Sequence, residues 1–221
     1  MHYRNQSGSI FRAATAVLLV LYFASPLHPA WAGAQAEEQL SASVQASLQA
    51  AISDRAAPRL VFNSESEGNA WILEMSSRLA RKIPDSTTRT ELLRTVHYEA
   101  SRAGLDPQMV LGLIQVESNF RKYAVSSAGA RGYMQVMPFW IKAIGTPDQN
   151  LFHLRTNLRY GCTILRHYLD IENGDYYRAL GRYNGSLGKP EYPNLVLASW
   201  HGNWKYDRPR LAVFTPGNPE R

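Results

Sequence analysis

Apolar residues along the chain recur at every third or fourth position, which is the spacing of amphipathic α-helices. Three such stripes lie in the first half, and their members are Leu40, Val44, Leu48 and Ile52, then Trp71, Met75, Leu79 and Ile83, then Leu92, Leu93, Val96 and Ala100. Pro84 ends the second stripe. Ser86 or Thr87 can cap the third helix, and Gly104 can end it. The pattern predicts three helices here.

Helical spacing continues in the second half. Asp106 and Pro107 are a typical N-cap and first-turn proline, and their helix is expected to run to about Ser118. The small, polar residues 119–132 predict a loop. Four more helices are expected, over residues 133–144 with a break near Pro138, 157–172, 176–183 and 194–204. No strand-like alternation is present, so the predicted fold class is mainly α.

The first 32 residues have the order of a secretory signal peptide. Arg4 and Arg12 precede the apolar residues 13–24, and small residues at 30 and 32 lie before Gly33. An uncleaved anchor is the alternative, but a helix of this apolar length falls well short of a bilayer core. We therefore expect a mature chain that starts at Gly33, has no membrane span and is periplasmic or secreted.

Composition narrows the possible partners and cofactors. The chain has 221 residues, of which 45% are hydrophobic and 19% charged, and its net charge is +6. Its lysines and arginines are scattered, which does not favour nucleic acid as a partner.

Cys162 shares a helical stripe with leucines, so we expect a buried, unreactive thiol. The histidines lack HExxH spacing and cysteine companions, and no phosphate-binding glycine loop occurs, so we expect neither metal nor cofactor.

One acidic residue lies where its helix should be apolar. Glu117 continues the stripe that Val110 and Ile114 form at helical spacing. Spacing alone leaves two interpretations open. Glu117 is either a helix-end residue that points to water or pairs with Arg121, or a buried carboxylic acid with a raised pKa. The second would suit general-acid chemistry near neutral pH.

Motifs around and after Glu117 resemble those of the soluble lytic transglycosylase family. The family has a Glu-Ser pair at a helix end, then Ser-x-x-Gly-Ala-x-Gly, then Met-Gln-x-x-Pro, an Asn-x-x-x-Gly helix and a Tyr-Asn-Ala-Gly motif. The matching residues here are Glu117-Ser118, Ser126 to Gly132, Met134 to Pro138, Asn157 with Gly161, and Tyr183-Asn184. The resemblance covers roughly residues 90–204, and its specificity comes from the shared order of these separated elements. Tyr133 replaces the usual Leu, and Gly185-Ser186 replaces Ala-Gly.

The resemblance implies a lysozyme-like fold of the goose type and an activity on bacterial peptidoglycan. The family cleaves the bond between N-acetylmuramic acid and N-acetylglucosamine without water, with one carboxyl group, here Glu117. That group protonates the leaving oxygen and then takes the proton of the sugar's own 6-hydroxyl, which closes a 1,6-anhydro ring. An ordinary glycosidase would need a second carboxylate. Asp148 and Asp175 are the first places to look for one.

The other matched residues are expected to bind substrate, each with a structural alternative. Ser126 would hydrogen-bond the substrate or Glu117, or be a turn serine. Met134 and Gln135 would line the cleft beside Glu117, or pack within a helix. The backbone at Gly132 would approach the glycan, or need glycine for a positive φ. Tyr183 and Asn184 would steady the acetamido group and the transition state, although Tyr183 could equally be a core tyrosine, and Asn157 is interpreted as a helix cap.

The predicted organisation is therefore a signal peptide at 1–32, an N-terminal helical extension at 33–83, a lysozyme-like domain at 84–205 and a flexible tail at 206–221. The extension is interpreted as a support packed on the domain, with an arm that binds an envelope protein as the alternative. Two alternatives to transglycosylase activity remain. One is a hydrolytic muramidase on the same fold, and the other is a non-catalytic module that binds peptidoglycan through its basic surface.

Overall fold

The computed structural model describes residues 35–53 and 65–207, and they form packed α-helices. In chain order these are α1 (Ala42–Ile52), α2 (Glu65–Leu79), α3 (Ser86–Arg102), α4 (Pro107–Ser118), α5 (Phe139–Ile144), α6 (Leu154–Ile171), α7 (Tyr176–Asn184) and α8 (Glu191–Ser199), followed by a π-helical turn, Trp200–Trp204. Within these ranges no strand forms, and Arg131 makes only isolated bridges with Val125 and Val136. The mainly α class is confirmed. The signal peptide predicted at 1–32 lies outside the described residues, as does the predicted tail beyond residue 207.

Helix α4 lies at the centre of the fold because its side chains are almost all apolar or small. Its residues from Met109 to Ile114 are fully buried, and the helix packs against α3, α8 and the π-helical turn. Gly112 permits the last of these contacts, since a Cβ there would lie 2.9 Å from the backbone nitrogen of Trp200. This packing fixes the end of α4, where Glu117 lies.

The ends of the helices follow local chemistry. Asp106 Oδ1 accepts a hydrogen bond of 2.7 Å from the backbone N–H of Gln108, which confirms the predicted start of α4. The helix ends at Ser118 because Asn119 takes a left-handed conformation with φ 49°. The cap expected for α3 is wrong by one position. Asp85 caps that helix through a 2.7 Å bond from Thr88 N–H to its carboxylate.

The helix expected over residues 133–144 is wrong in its first half, since α5 begins only at Phe139. Before it the chain folds back on itself, and the backbone groups of Arg131 and Val136 exchange two hydrogen bonds of 3.0 Å. Gly132 and Gln135 both have positive φ, 77° and 48°, which no α-helix accommodates. The result is a tight loop that carries Met134 and Gln135.

Helix α6 is three residues longer at its start than expected, because it begins at Leu154 with His153 at the N-cap position. Asn157 therefore lies inside the helix, and its interpretation as a helix cap is wrong. The stripe that contains Cys162 is buried as expected, and burial raises the pKa of the Cys162 thiol well above its usual value. Among the described residues, no helix is long and apolar enough to cross a bilayer.

Helices α1 and α2, which lie in the predicted N-terminal extension, pack against later helices. Helix α1 lies against α5 and α6. Its last carbonyl, that of Ile52, accepts a 3.3 Å hydrogen bond from Arg159, and the next, that of Ser53, accepts a 2.9 Å bond from Arg102. Gln45 donates a 2.6 Å bond from its side chain to the carbonyl of Ala143 at the end of α5. Helix α2 packs on α3, as its buried stripe requires.

Candidate active site

Glu117 is buried at the C-terminal end of α4, with 4% of its surface exposed. Its carboxylate does not point to water and does not pair with Arg121, whose guanidinium instead donates a 3.1 Å bond to the carbonyl of Ser118. The interpretation of Glu117 as a solvated helix-end residue is therefore wrong. A carboxyl group buried here requires a neutral form, a partner or a ligand.

The surroundings of Glu117 favour its neutral form. Tyr192 donates a 2.5 Å hydrogen bond from its hydroxyl to Glu117 Oε1, while Oε2 is buried without a hydrogen-bond partner. Burial raises the pKa of Glu117 to about 8, and the hydrogen bond from Tyr192 opposes this rise. Glu117 is thus protonated at neutral pH, as a general acid must be before it donates its proton.

Tyr183 binds the loop that carries Met134 and lies within electrostatic range of Glu117. The Tyr183 hydroxyl donates a 2.7 Å bond to the backbone carbonyl of Met134 and is fully buried. Burial raises the pKa of Tyr183, and the charge of Glu117 adds to the effect, so the two groups lie within electrostatic range. The structure thereby brings together three of the residues named from the sequence: Glu117, Met134 and Tyr183.

Gln135 and Met134 are held in place by the backbone around them. The Gln135 side-chain amide donates to the carbonyls of Ala124 and Gly132, at 3.1 and 2.9 Å. Asn157 accepts a 2.8 Å bond from Met134 N–H and donates to two loop carbonyls, those of Arg131 and Leu151. The amide groups of Gln135 and Asn157 therefore shape the loop beside Glu117.

Ser126 and Gly132 both have clear local roles in this loop. The Ser126 hydroxyl accepts a 3.1 Å bond from Ala130 N–H, within a turn that the backbone of Ser126 also closes. A Cβ on Gly132 would lie 2.5 Å from the Asn157 amide nitrogen and 2.7 Å from the Leu151 carbonyl oxygen. Glycine is thus required at position 132 by its positive φ and by the neighbouring protein atoms.

Asn184 is the last matched residue, and it is buried with 3% of its surface exposed. Its amide nitrogen donates a 3.1 Å bond to the Ser186 hydroxyl, while its Oδ1 has no hydrogen-bond partner. Gly185, with φ 72°, ends α7 at this point. Buried polar atoms without a partner are uncommon, and here they are the protonated Glu117 Oε2, which can donate a hydrogen bond to a bound ligand, and Asn184 Oδ1, which can accept one.

Sequence reasoning missed Tyr192. It lies 75 residues after Glu117 in the chain, at the start of α8, and is completely buried. Burial and the neighbouring Glu117 both raise the pKa of its hydroxyl. The only local signal is its spacing of four from the buried Val196, which marks a core position and gives no indication of the bond to Glu117.

The carboxylates considered as a second acid are engaged elsewhere. Asp175 caps α7 through a 3.1 Å bond from Arg178 N–H. The pKa of Asp148 is lowered, first by a hydrogen bond with the Thr146 side chain. In the described ranges no three His, Cys, Asp or Glu side chains lie close enough together to hold a metal ion.

Comparison with known proteins identifies the domain that contains these residues. Residues 94–192 match the family model described as the transglycosylase SLT domain. This segment of the chain is therefore similar to the transglycosylase SLT domain. The match spans Glu117, the loop to Pro138, Tyr183 and Tyr192.

Two proteins with similar sequences are named as transglycosylases. A transglycosylase of Enterobacteria phage PRD1 is 33% identical over 110 residues, which are 47% of this chain and 40% of the phage protein. Membrane-bound lytic murein transglycosylase C of Mannheimia succiniciproducens is 46% identical over 116 residues, 43% of this chain and 31% of that protein. The matched SLT segment thus spans less than half the length of these relatives.

A solved structure is also similar. It is that of an inactive mutant of the lytic transglycosylase Slt from Pseudomonas aeruginosa, with 16% identity and a TM-score of 0.41. The similarity covers 75% of this chain and 34% of that one.

Proposed function

We propose that this SLT domain is a peptidoglycan lytic transglycosylase, a carbon–oxygen lyase of the glycoside hydrolase family 23 type. It cleaves the β-1,4 bond between N-acetylmuramic acid and N-acetylglucosamine without water and leaves 1,6-anhydromuramic ends. The observation that carries the proposal is the buried carboxyl group of Glu117, whose pKa of about 8 keeps its proton at neutral pH. The name of the Mannheimia succiniciproducens relative, which specifies murein, supports peptidoglycan as the substrate.

In the first step Glu117 acts as an acid. It transfers its proton to the glycosidic oxygen as the bond to the muramic anomeric carbon breaks. The neighbouring N-acetyl group of the muramic residue stabilises the positive charge that develops on that carbon. Because Tyr192 donates to Oε1, it also stabilises the carboxylate that the transfer leaves behind.

In the second step the same group acts as a base. The carboxylate takes the proton of the muramic 6-hydroxyl, whose oxygen attacks the anomeric carbon and closes the 1,6-anhydro ring. A hydroxyl held within the same sugar has an effective concentration far above that of an ordered water. Asp175, one of the two residues considered as a second carboxylate, caps α7 instead, which supports ring closure over hydrolysis.

The roles of the remaining matched residues are assigned from their hydrogen bonds and from the polar atoms that have no partner within the protein. Asn184 Oδ1, buried and without a donor, is suited to accept the N–H of an acetamido group. Tyr183 holds the loop at Met134 and lies within electrostatic range of Glu117. Met134 and Gln135 form the wall beside Glu117. Ser126 and Gly132 shape the loop, and a direct glycan contact by either remains an expectation.

Digestion of purified peptidoglycan in heavy-oxygen water tests the reaction. A transglycosylase leaves no solvent oxygen in its product, which lacks a reducing end and is lighter by one water than the muramidase product. A labelled reducing sugar as the main product would establish the hydrolytic alternative. Binding of the glycan without turnover would establish the non-catalytic module instead. Export is tested separately, because the proposed signal cleavage predicts a native N-terminus at Gly33 in the cell envelope.

A further inference from the structure

The segment that leads into α1 reaches the loop beside Glu117. Gln35 is 5% exposed, although it lies outside the part of the chain that matches the SLT family. Its side-chain carbonyl Oε1 accepts a 2.9 Å bond from the Trp140 indole N–H and a 3.4 Å bond from the backbone N–H of Met137. A buried glutamine is uncommon, and these contacts join positions more than one hundred residues apart in sequence.

The other end of the Gln35 amide faces Tyr183. Its nitrogen Nε2 is buried and makes no bond of good geometry, but the side chain lies close enough to the Tyr183 hydroxyl to oppose the rise in the pKa of that group. Tyr183 in turn donates to the Met134 carbonyl. Gln35 thus contacts the 134–137 segment directly through Met137 and lies near Tyr183, which binds the same segment.

Two further contacts hold this segment of the extension on the domain. Glu38 lies 3.9 Å from the Arg182 guanidinium on α7, one residue before Tyr183. Gln45 binds the end of α5. Of these side chains only Gln35 contacts the Met134–Met137 segment, and Gln45 therefore provides a matched comparison: the same residue type, the same extension, and a bond to the domain away from Glu117.

From this geometry we propose that Gln35 is a positioning residue of the active site. It fixes the Met134–Met137 loop and Tyr183 against Glu117, so the N-terminal extension forms part of the site rather than a separate arm. The inference rests on the proposed function only for its kinetic consequence. The mechanical part, that Gln35 orders the loop, is independent of the substrate.

The mechanical part is tested by hydrogen exchange of the folded full chain. Gln35→Leu removes both amide groups at similar volume, and Gln45→Leu is the control. We expect faster exchange of the backbone amides at residues 134–137 in the first variant and not in the second. Equal exchange of those amides in wild type and both variants would overturn the proposal, whether or not peptidoglycan is cleaved.

The kinetic part is tested on purified peptidoglycan. We expect kcat of Gln35→Leu to fall about tenfold, with little change in KM, because a small displacement at a reacting group is costly. Gln45→Leu should keep kcat. If both variants lose kcat only in proportion to their loss of folded protein, Gln35 is merely structural and the proposal fails. Absence of turnover by the wild type would instead contradict the proposed function.

A third variant separates positioning from general destabilisation. In Gln35→Glu the protonated carboxyl group presents the same acceptor and donor as the amide, whereas the ionised form does not. The activity of this variant relative to wild type should therefore rise as the pH is lowered. The activity of Gln35→Leu relative to wild type should not change with pH. A flat ratio for both variants would count against a positioning role.

Discussion

Two glutamates are buried in this domain, and they differ in what surrounds them. Glu99, 1% exposed on α3, accepts two hydrogen bonds from Arg159, at 3.0 and 3.2 Å, and one of 3.3 Å from Arg155. Glu117, 4% exposed on α4, has a tyrosine hydroxyl on one oxygen and no partner on the other. Burial alone therefore does not identify a chemically active carboxyl group.

The two environments differ in which form of the glutamate they stabilise, the negative carboxylate or the neutral carboxyl group. The arginines around Glu99, with Arg102 at 4.0 Å, stabilise a carboxylate and tie α3 to α6. The arginine bonds to the carbonyls of Ile52 and Ser53 extend the same cluster to the end of α1. Glu117 has no such cation, so burial favours its protonated form. The arginines around Glu99 stabilise a charge that helps to hold the helices together, whereas burial of Glu117 keeps a proton that can be transferred.

The largest effect is expected from a substitution of Glu117. Glu117→Gln keeps the shape of the side chain and removes the transferable proton, so turnover of purified peptidoglycan should fall about 10³-fold or more. Glu191→Gln is the control, since it removes an exposed carboxylate from the first turn of α8. Circular dichroism should show both variants folded. Near-normal activity in folded Glu117→Gln would overturn the assignment.

The complementary change at Glu99 should cost stability and leave the chemistry intact. Glu99→Gln leaves Arg159 and Arg102, whose side chains are 8% and 10% exposed, without their charge partner, and we expect a loss of about 3 kcal/mol in the free energy of unfolding. Asp170→Asn, which breaks an exposed pair with Arg166, should cost less than about 1 kcal/mol. Denaturant melts measure both. Activity per folded molecule should match wild type, and a specific loss of kcat in Glu99→Gln would contradict the division of roles.

Local spacing was enough to find the helices and Glu117 itself, because helical periodicity places a residue on a face without knowledge of its neighbours. The helix predicted at residues 133–138 failed because a positive φ at Gln135 is imposed by the loop and by its bonds to distant carbonyls. No local signal indicates the roles of Tyr192 and Gln35 either. Their roles come from contacts across 75 and more than one hundred residues, which only the folded chain brings together.

A third prediction concerns stability and pH. The folded-state pKa of Glu117, about 8, lies above its value of 4.5 without the fold, so the folded protein binds more protons between these pH values. This group's contribution to stability is then complete at low pH and is lost as the pH rises through about 8. Glu117→Gln has no such proton. Its stability relative to wild type should therefore increase by roughly 2 kcal/mol or more between pH 5 and pH 8.

Denaturant melts of wild type and Glu117→Gln at several pH values give this difference directly, and other titrating groups cancel in the subtraction. A difference that does not change with pH would mean that Glu117 has the same pKa in the folded and unfolded chain. Such a result would remove the physical basis for its role as an acid at neutral pH.

The smallest expected effect concerns Tyr192, which supplies the one hydrogen bond that Glu117 accepts. Tyr192→Phe removes this bond and should raise the pKa of Glu117 above about 8, because the bond favours the ionised form. Activity requires the acid form in the free enzyme, so the alkaline fall of kcat/KM should move to higher pH. At neutral pH the rate should drop about tenfold, since a less acidic group is a poorer proton donor and its carboxylate loses a donor.

Tyr177→Phe, on the exposed face of α7, should change neither property. If the alkaline limb of Tyr192→Phe coincides with those of wild type and Tyr177→Phe, the hydrogen bond does not tune Glu117, and the contrast with Glu99 would rest on the arginines around Glu99 alone.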